Sequence, residues 1–124
     1  MSYRDLTAWQ LAMDLVEQVY RLTERFPDQE RFGLTAQMRR AAVSIPSNLA
    51  EGQGRRSAGA FTNPVLIARG SLLEVETQAL IAARLGYLEH GVMQGFLARS
   101  EELSKVLHGL ARATSPDSRL PTPD

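Results

Sequence analysis

The stretch Arg39-Arg40-Ala41-Ala42-Val43-Ser44-Ile45-Pro46-Ser47-Asn48-Leu49-Ala50-Glu51-Gly52 decides how this chain folds. With Leu34 and Met38 ahead of it, the residues Ala41, Ile45 and Leu49 recur every three or four positions, which is the period of one helical face. Arg40, Ser44, Ser47 and Glu51 recur at the same period on another side, flanked by Gln37 and Asn48. An amphipathic helix over about 32–51 accommodates both rows. Pro46 sits inside it, removing a bond to the Ala42 carbonyl and crowding that carbonyl, at about 3 kcal/mol in an ordinary helix interior. Either the helix kinks there or tertiary packing offsets the loss. Gly52 and Gly54, followed by Arg55-Arg56-Ser57, read as its stop.

Outward from this helix, three more amphipathic segments appear and no alternating strand pattern does. The first runs over about 6–26, with Trp9, Met13, Val16, Tyr20 and Thr23 on one face and Leu11, Leu15 and Leu22 on a second strip. Phe26-Pro27 ends it, because the residue before a proline is pushed out of the helical region. The third starts near Ser57, a suitable N-cap, and runs to about Leu85. It places Val65, Ala68, Leu72, Val75, Ala79 and Ala82 on one face, with Leu66, Leu73 and Leu80 on a separate strip. Pro64 interrupts its beginning, so 57–63 can form a separate turn joined at an angle. The fourth covers about 89–113, with Val92, Phe96, Leu103, Val106, Leu107 and Leu110 inward. Four such helices with short connections predict an all-α, antiparallel up-down-up-down four-helix bundle. Residues 1–114 form that domain, and the Pro-rich tail 115–124 is expected to be disordered.

The second strips on the first and third helices admit two readings: a wide core face on a small bundle, or subunit contacts in a homo-oligomer.

The 124 residues suffice for one domain with a real core. There is no cysteine, which excludes disulfides and thiolate metal sites. The N-terminus shows no signal peptide and the chain no membrane-spanning run, so a cytoplasmic protein is the expectation. The net charge of zero is uneven: residues 1–30 sum to −3, 31–70 to +5 and 71–124 to −2. A neutral whole argues against a general nucleic-acid coat, while the basic middle provides for a local anion-binding patch.

Arg39, Arg40, Arg55 and Arg56 bracket the end of the second helix and are the candidate contacts to a nucleic acid or another partner. Solvated surface arginines or subunit salt bridges are the alternative. Gln37, Ser44, Asn48 and Glu51 are the candidate structural polar network. The glycines around position 53 match no phosphate-binding loop, since no Gly-Lys-Ser/Thr follows them. His90 and His108 sit in no metal-ligand spacing. No catalytic grouping appears, and no cofactor, metal or small-molecule substrate is expected.

Asp5-Leu6 with Trp9-Gln10, Phe26-Pro27, Gly33-Leu34, Gln37, Arg39-Arg40-Ala41-Ala42, Ser44-Ile45, Asn48-Leu49-Ala50-Glu51-Gly52 and Ala68-Arg69-Gly70-Ser71-Leu72 resemble the four-helix-bundle protein family of the 23S rRNA intervening sequences. The resemblance covers about residues 3–88. It implies a bacterial antiparallel bundle that assembles as a ring-like homopentamer. A similar bundle is the accessory protein of diversity-generating retroelements, which binds a reverse transcriptase and nucleic acid. Asn63-Pro64 departs from the pattern, falling where the family continues a helix with apolar or aromatic residues. The neutral charge also differs from the strongly basic retroelement proteins. The functional expectation is a non-enzymatic oligomeric scaffold binding a protein partner; the alternative is structured-RNA binding through the arginines at the end of the second helix.

Overall fold

The computed structural model describes residues 2–54 and 58–114, the side chains of 58–60 excepted. Four helices account for most of them: α1 (Thr7–Thr23), α2 (Leu34–Gln53), α3 (Ala58–Arg84) and α4 (His90–Thr114). Short 3-10 turns at Tyr3–Asp5 and Asp28–Glu30 precede α1 and α2. No strand occurs among the described residues. Ser57, expected as the N-cap of α3, and the tail 115–124 lie outside the described residues.

Cross-helix hydrogen bonds fix the directions. Arg39 near the start of α2 reaches Thr23 at the end of α1. Across α2 and α3, Ser44 pairs with Ser71, and Gly52 near the end of α2 abuts Phe61 and Pro64 near the start of α3. Thr62 early in α3 donates to the carbonyl of Thr114 at the end of α4, and Ser100 donates to Glu76 between the same helices. Each sequential pair is therefore antiparallel. Close backbone packing joins α1 to α2, α2 to α3, α3 to α4 and α4 to α1, with the diagonal pairs apart among the described residues. This is the up-down-up-down bundle. At one end, the α1–α2 and α3–α4 connections meet: Phe26 packs its ring on Tyr87, and the Tyr87 hydroxyl donates to Glu30 at 3.0 Å. The other Glu30 oxygen accepts from the Leu34 N–H, so the carboxylate caps the positive end of α2.

The core stripe of α2 is as expected: Met38, Ala41, Ile45 and Leu49 are buried, joined by Ala42 and Pro46. The core face of α3, Val65, Ala68, Leu72, Val75, Ala79 and Ala82, is wholly buried. On α4, Phe96, Leu103 and Leu107 are buried, while Val92, Val106 and Leu110 are partly so.

On helix α1 the inward face takes Thr23 from one apolar strip and Leu15 from the other. Its buried face is Ala8, Ala12, Leu15, Val19 and Thr23, whereas Met13 and Tyr20 are exposed and Trp9 and Val16 half-exposed. Two alanines let the neighbouring helices come close, so the side with the smaller residues faces inward. The bulkier strip is displaced to the seam with α2.

Both prolines also depart from the expected interruptions. Helix α2 continues through Pro46 and α3 through Pro64, so 58–63 are part of α3 rather than a separate turn. Both rings are buried, and burial of the ring offsets the missing backbone bond. Of the two glycines expected to stop α2, Gly54 is its C-cap, while Gly52 still lies inside the helix, which runs to Gln53. A Cβ on Gly52 would lie 2.5 Å from Cδ1 of Phe61 and 2.8 Å from Cβ of Pro64. The glycine is there because α3 crosses α2 at that point with no room for a side chain. The left-handed turn residue of the fold is Gly86, with φ +82°, between α3 and α4.

Candidate functional site

Three parts of the surface bear on function: the polar signature between α2 and α3, the apolar outer face of α3, and an apolar furrow between α1 and α2.

The helical spacing of the signature turns Ser44 and Asn48 toward α3. The Asn48 amide donates to the Ser44 carbonyl at 2.8 Å and to its hydroxyl at 3.0 Å, and that hydroxyl pairs with the Ser71 hydroxyl at 2.9 Å. Ser44 and Asn48 thus act together, and their partner is the serine of Ala68-Arg69-Gly70-Ser71-Leu72. Gln37, Arg40, Ser44, Ser71 and Glu74 line a cleft of about 310 Å³ beside this network. The cleft presents one cation, one carboxylate and two hydroxyls. Glu51 is exposed in the last turn of α2, away from the serine pair.

The two candidate arginines within the described residues are not used alike. Arg39 donates from Nε to the Thr23 hydroxyl at 2.8 Å and from Nη2 to the Tyr20 carbonyl at 3.3 Å. Its guanidinium also lies 4.5 Å from the Tyr20 ring centroid. It is a clamp holding α2 on the negative end of α1. Arg40 is exposed on the outer side of α2. Arg55 and Arg56 lie outside the described residues.

The histidines come together with nothing acidic from the signature. His90 starts α4 at the end of the bundle opposite Glu51, and His108 is on α4, diagonal to α2. No group of three His, Asp or Glu able to hold a metal occurs among the described residues. At the Tyr87 end, Arg21, Leu22, Arg25, Tyr87, Glu89 and Val92 border a cleft of about 620 Å³, with charges of both signs and no link to the signature.

Helix α3 carries aliphatic side chains on its outer side as well as on its buried one, among the charges of Arg69, Glu74, Glu76 and Arg84. Beyond its buried face, Leu66, Ile67, Leu73, Leu80, Ile81 and Leu85 are between 44% and 61% exposed. The strip of Leu66, Leu73 and Leu80 is therefore outside the core, and Ile67, Ile81 and Leu85 widen it. Thr77 turns its hydroxyl back to the Leu73 carbonyl at 2.9 Å, and Gly70 leaves open space on the same side. Glu74 and Arg84 interrupt this face, and Arg69, three residues after Leu66 and four before Leu73, borders it. No helix of the described residues is long and apolar enough to cross a membrane.

The displaced strip of α1 creates the furrow. Trp9, Met13 and Val16 face Val43, Pro46 and Ala50 of α2 across a concavity of about 340 Å³, and Tyr3 closes one end. Sequence periodicity identified the strip but not its function, because nothing in α1 alone shows that the alanine side is the inner one.

The profile of the 23S rRNA-intervening sequence protein family matches residues 4–109. Among solved structures, a protein of unknown function from the S23 ribosomal protein family of Bacteroides thetaiotaomicron superposes with a TM-score of 0.78 at 20% identity, covering 85% of this chain and 95% of the other. That likeness is one of fold. No curated protein sequence matches.

Proposed function

This chain belongs to the 23S rRNA-intervening sequence protein family, and from that premise we propose that it is a non-enzymatic scaffold that works as a homo-oligomer and holds a protein partner. The observation that carries this reading is the outer face of α3. Six half-exposed aliphatic side chains, Leu85 just past the helix end among them, offer on the order of 500 Å² of apolar surface, toward the upper end of what an ordinary monomer leaves in water. Covering it removes that surface from solvent at about 25 cal/mol per Å² before association costs. The polar cleft of Arg40, Ser71 and Glu74 stays outside the bundle, beside the apolar face, and suits the partner's polar rim.

Light scattering on the purified protein at micromolar concentration tests the reading. A mass of several chains is the expected result, and a strictly monomeric species removes its basis. The nucleic-acid alternative is supported by the basic middle of the chain, yet its Arg39 is already engaged with Thr23 and Tyr20. Replacing Arg55 and Arg56 with Ala and measuring RNA affinity against salt separates the two: a scaffold shows no change, an RNA binder loses affinity and salt slope.

A further inference from the structure

The furrow between α1 and α2 ends in an aromatic wall, and that wall is held in place. The Ser2 hydroxyl accepts from the Arg4 N–H and the Ser2 N–H donates to the Asp5 carboxylate, each at 3.2 Å. The Gln10 amide donates to the Arg4 carbonyl at 2.9 Å. These bonds fix the Tyr3–Asp5 turn, which sets the Tyr3 ring edge-on to Trp9 with centroids 5.4 Å apart. Beyond the rings, Met13, Val16, Val43 and Pro46 line the furrow without a charge. The indole N–H of Trp9 and the hydroxyl of Tyr3 have no hydrogen-bond partner among the described residues.

Surfaces of this kind take proline-rich segments in the polyproline II form. Aromatic side chains seat the prolines, and a backbone with no internal hydrogen bonds accepts from donors in the groove. The chain supplies such a segment itself, in Leu120-Pro121-Thr122-Pro123. Its two prolines set φ in advance, and three residues per turn put Leu120 and Pro123 on one face. We infer that residues 120–123 dock in the furrow of their own chain, with Leu120 and Pro123 turned toward Trp9, Met13 and Val43. The contact lies within one chain and is independent of the self-association proposed above.

Reach and tethering support this occupant. Thr62 early in α3 donates to the Thr114 carbonyl, and Gly52 near the end of α2 abuts Phe61, so α4 ends where α2 does. The Tyr3 end of the furrow, bordered by Ala50, is at that same end of the bundle. Helix α4 neighbours α1, whose other side forms the furrow. With helix axes 8–10 Å apart, the path from Thr114 past the start of α1 is on the order of 15 Å. Six extended residues to Leu120 span about 20 Å, which is enough. Residues 120–123 then cover roughly 9 Å in polyproline II, against a wall from Trp9 to Val16 of roughly 10 Å. A contact of four residues is weak when free, but a short tether holds it at an effective concentration of about millimolar.

Trp9 is the sole tryptophan, so its fluorescence reports on the furrow. The test uses the full chain and its variant Leu120→Asp, which puts a charge in the segment and leaves the bundle unchanged; circular dichroism melts check the fold. Trp9 emission in the variant is expected to shift to the red and its acrylamide quenching to steepen, at every protein concentration. A peptide of residues 115–124, added at millimolar concentration, should reverse part of both changes. Val43→Asp should expose Trp9 from the other side of the contact, and Leu120→Asp should then add nothing further. Identical emission and quenching in the wild type and Leu120→Asp overturn the inference. Protection of Trp9 that disappears on dilution overturns it too, and assigns the furrow to a second molecule.

Discussion

Arg39 and Thr23 join the start of α2 to the end of α1 through a 2.8 Å hydrogen bond from the guanidinium Nε to the threonine hydroxyl. The same hydroxyl donates back to the carbonyl of Val19 at 2.8 Å. Thr23 is 3% exposed, so its oxygen depends on these partners. Removing the arginine leaves a buried acceptor without its donor and takes a cation from the negative end of a helix. Arg39→Ala is expected to cost about 1–3 kcal/mol in urea unfolding. Arg39→Lys should recover little of it, because a point charge cannot bond Thr23 and stack on Tyr20 together.

Gly52→Ala tests the close crossing of α2 and α3. Helix propensity by itself favours alanine by about 1 kcal/mol. The new Cβ would lie 2.5 Å from Phe61 and 2.8 Å from Pro64, and the proline ring cannot rotate away. Overpacking of this kind costs about 1–3 kcal/mol and outweighs the propensity gain. The expected outcome is a lower melting temperature, and a raised one would show that the helices separate freely.

Ser71→Ala should destabilise by about 1 kcal/mol, the net worth of an ordinary hydrogen bond. Ser44 keeps its bond from Asn48 in that variant. A double-mutant cycle between Ser44→Ala and Ser71→Ala should therefore give a coupling energy of about 0.5 kcal/mol or more, as expected for residues in contact. Full additivity would mean that the 2.9 Å pair contributes nothing.

Tyr87 holds its phenol proton more tightly than an ordinary tyrosine, first because it donates to the Glu30 carboxylate and then because of burial. A phenol whose pKa rises on folding favours the folded state below its unfolded pKa, and that contribution fades as pH climbs through the folded value. Stability should therefore fall on the alkaline side, above the usual tyrosine range. An ultraviolet phenolate titration checks this: Glu30→Gln should bring the transition of Tyr87 down toward its ordinary position and flatten the alkaline loss.

Several elements were legible from spacing alone. Met38, Ala41, Ile45 and Leu49, and the six-residue face of α3, are buried because a three-to-four repeat on an isolated stripe has one way to meet a core. The strip of Leu66, Leu73 and Leu80 was likewise separable from that face. Helix α1 was not, since it carries two apolar strips and its inner one begins with Ala8 and Ala12, whose weak hydrophobicity hides their role in close approach. The candidate site was legible in part: Ser44 and Asn48 do form a polar network, while Arg39, grouped with partner-contacting arginines, is a clamp whose acceptors lie sixteen and nineteen residues away.

The sequence by itself determined four amphipathic helices, their order and a bundle, because periodicity and short connections are local properties of the chain. Only the tertiary structure decided that Pro46 and Pro64 stay inside their helices, that Gly52 is a point of contact rather than a stop, and which strip of α1 faces inward. Each of these depends on what a neighbouring helix presents at a given height. In Arg39-Arg40-Ala41-Ala42-Val43-Ser44-Ile45-Pro46-Ser47-Asn48-Leu49-Ala50-Glu51-Gly52, the residues are local, but the partners that give them meaning, Thr23, Ser71, Phe61 and Pro64, come from elsewhere in the chain.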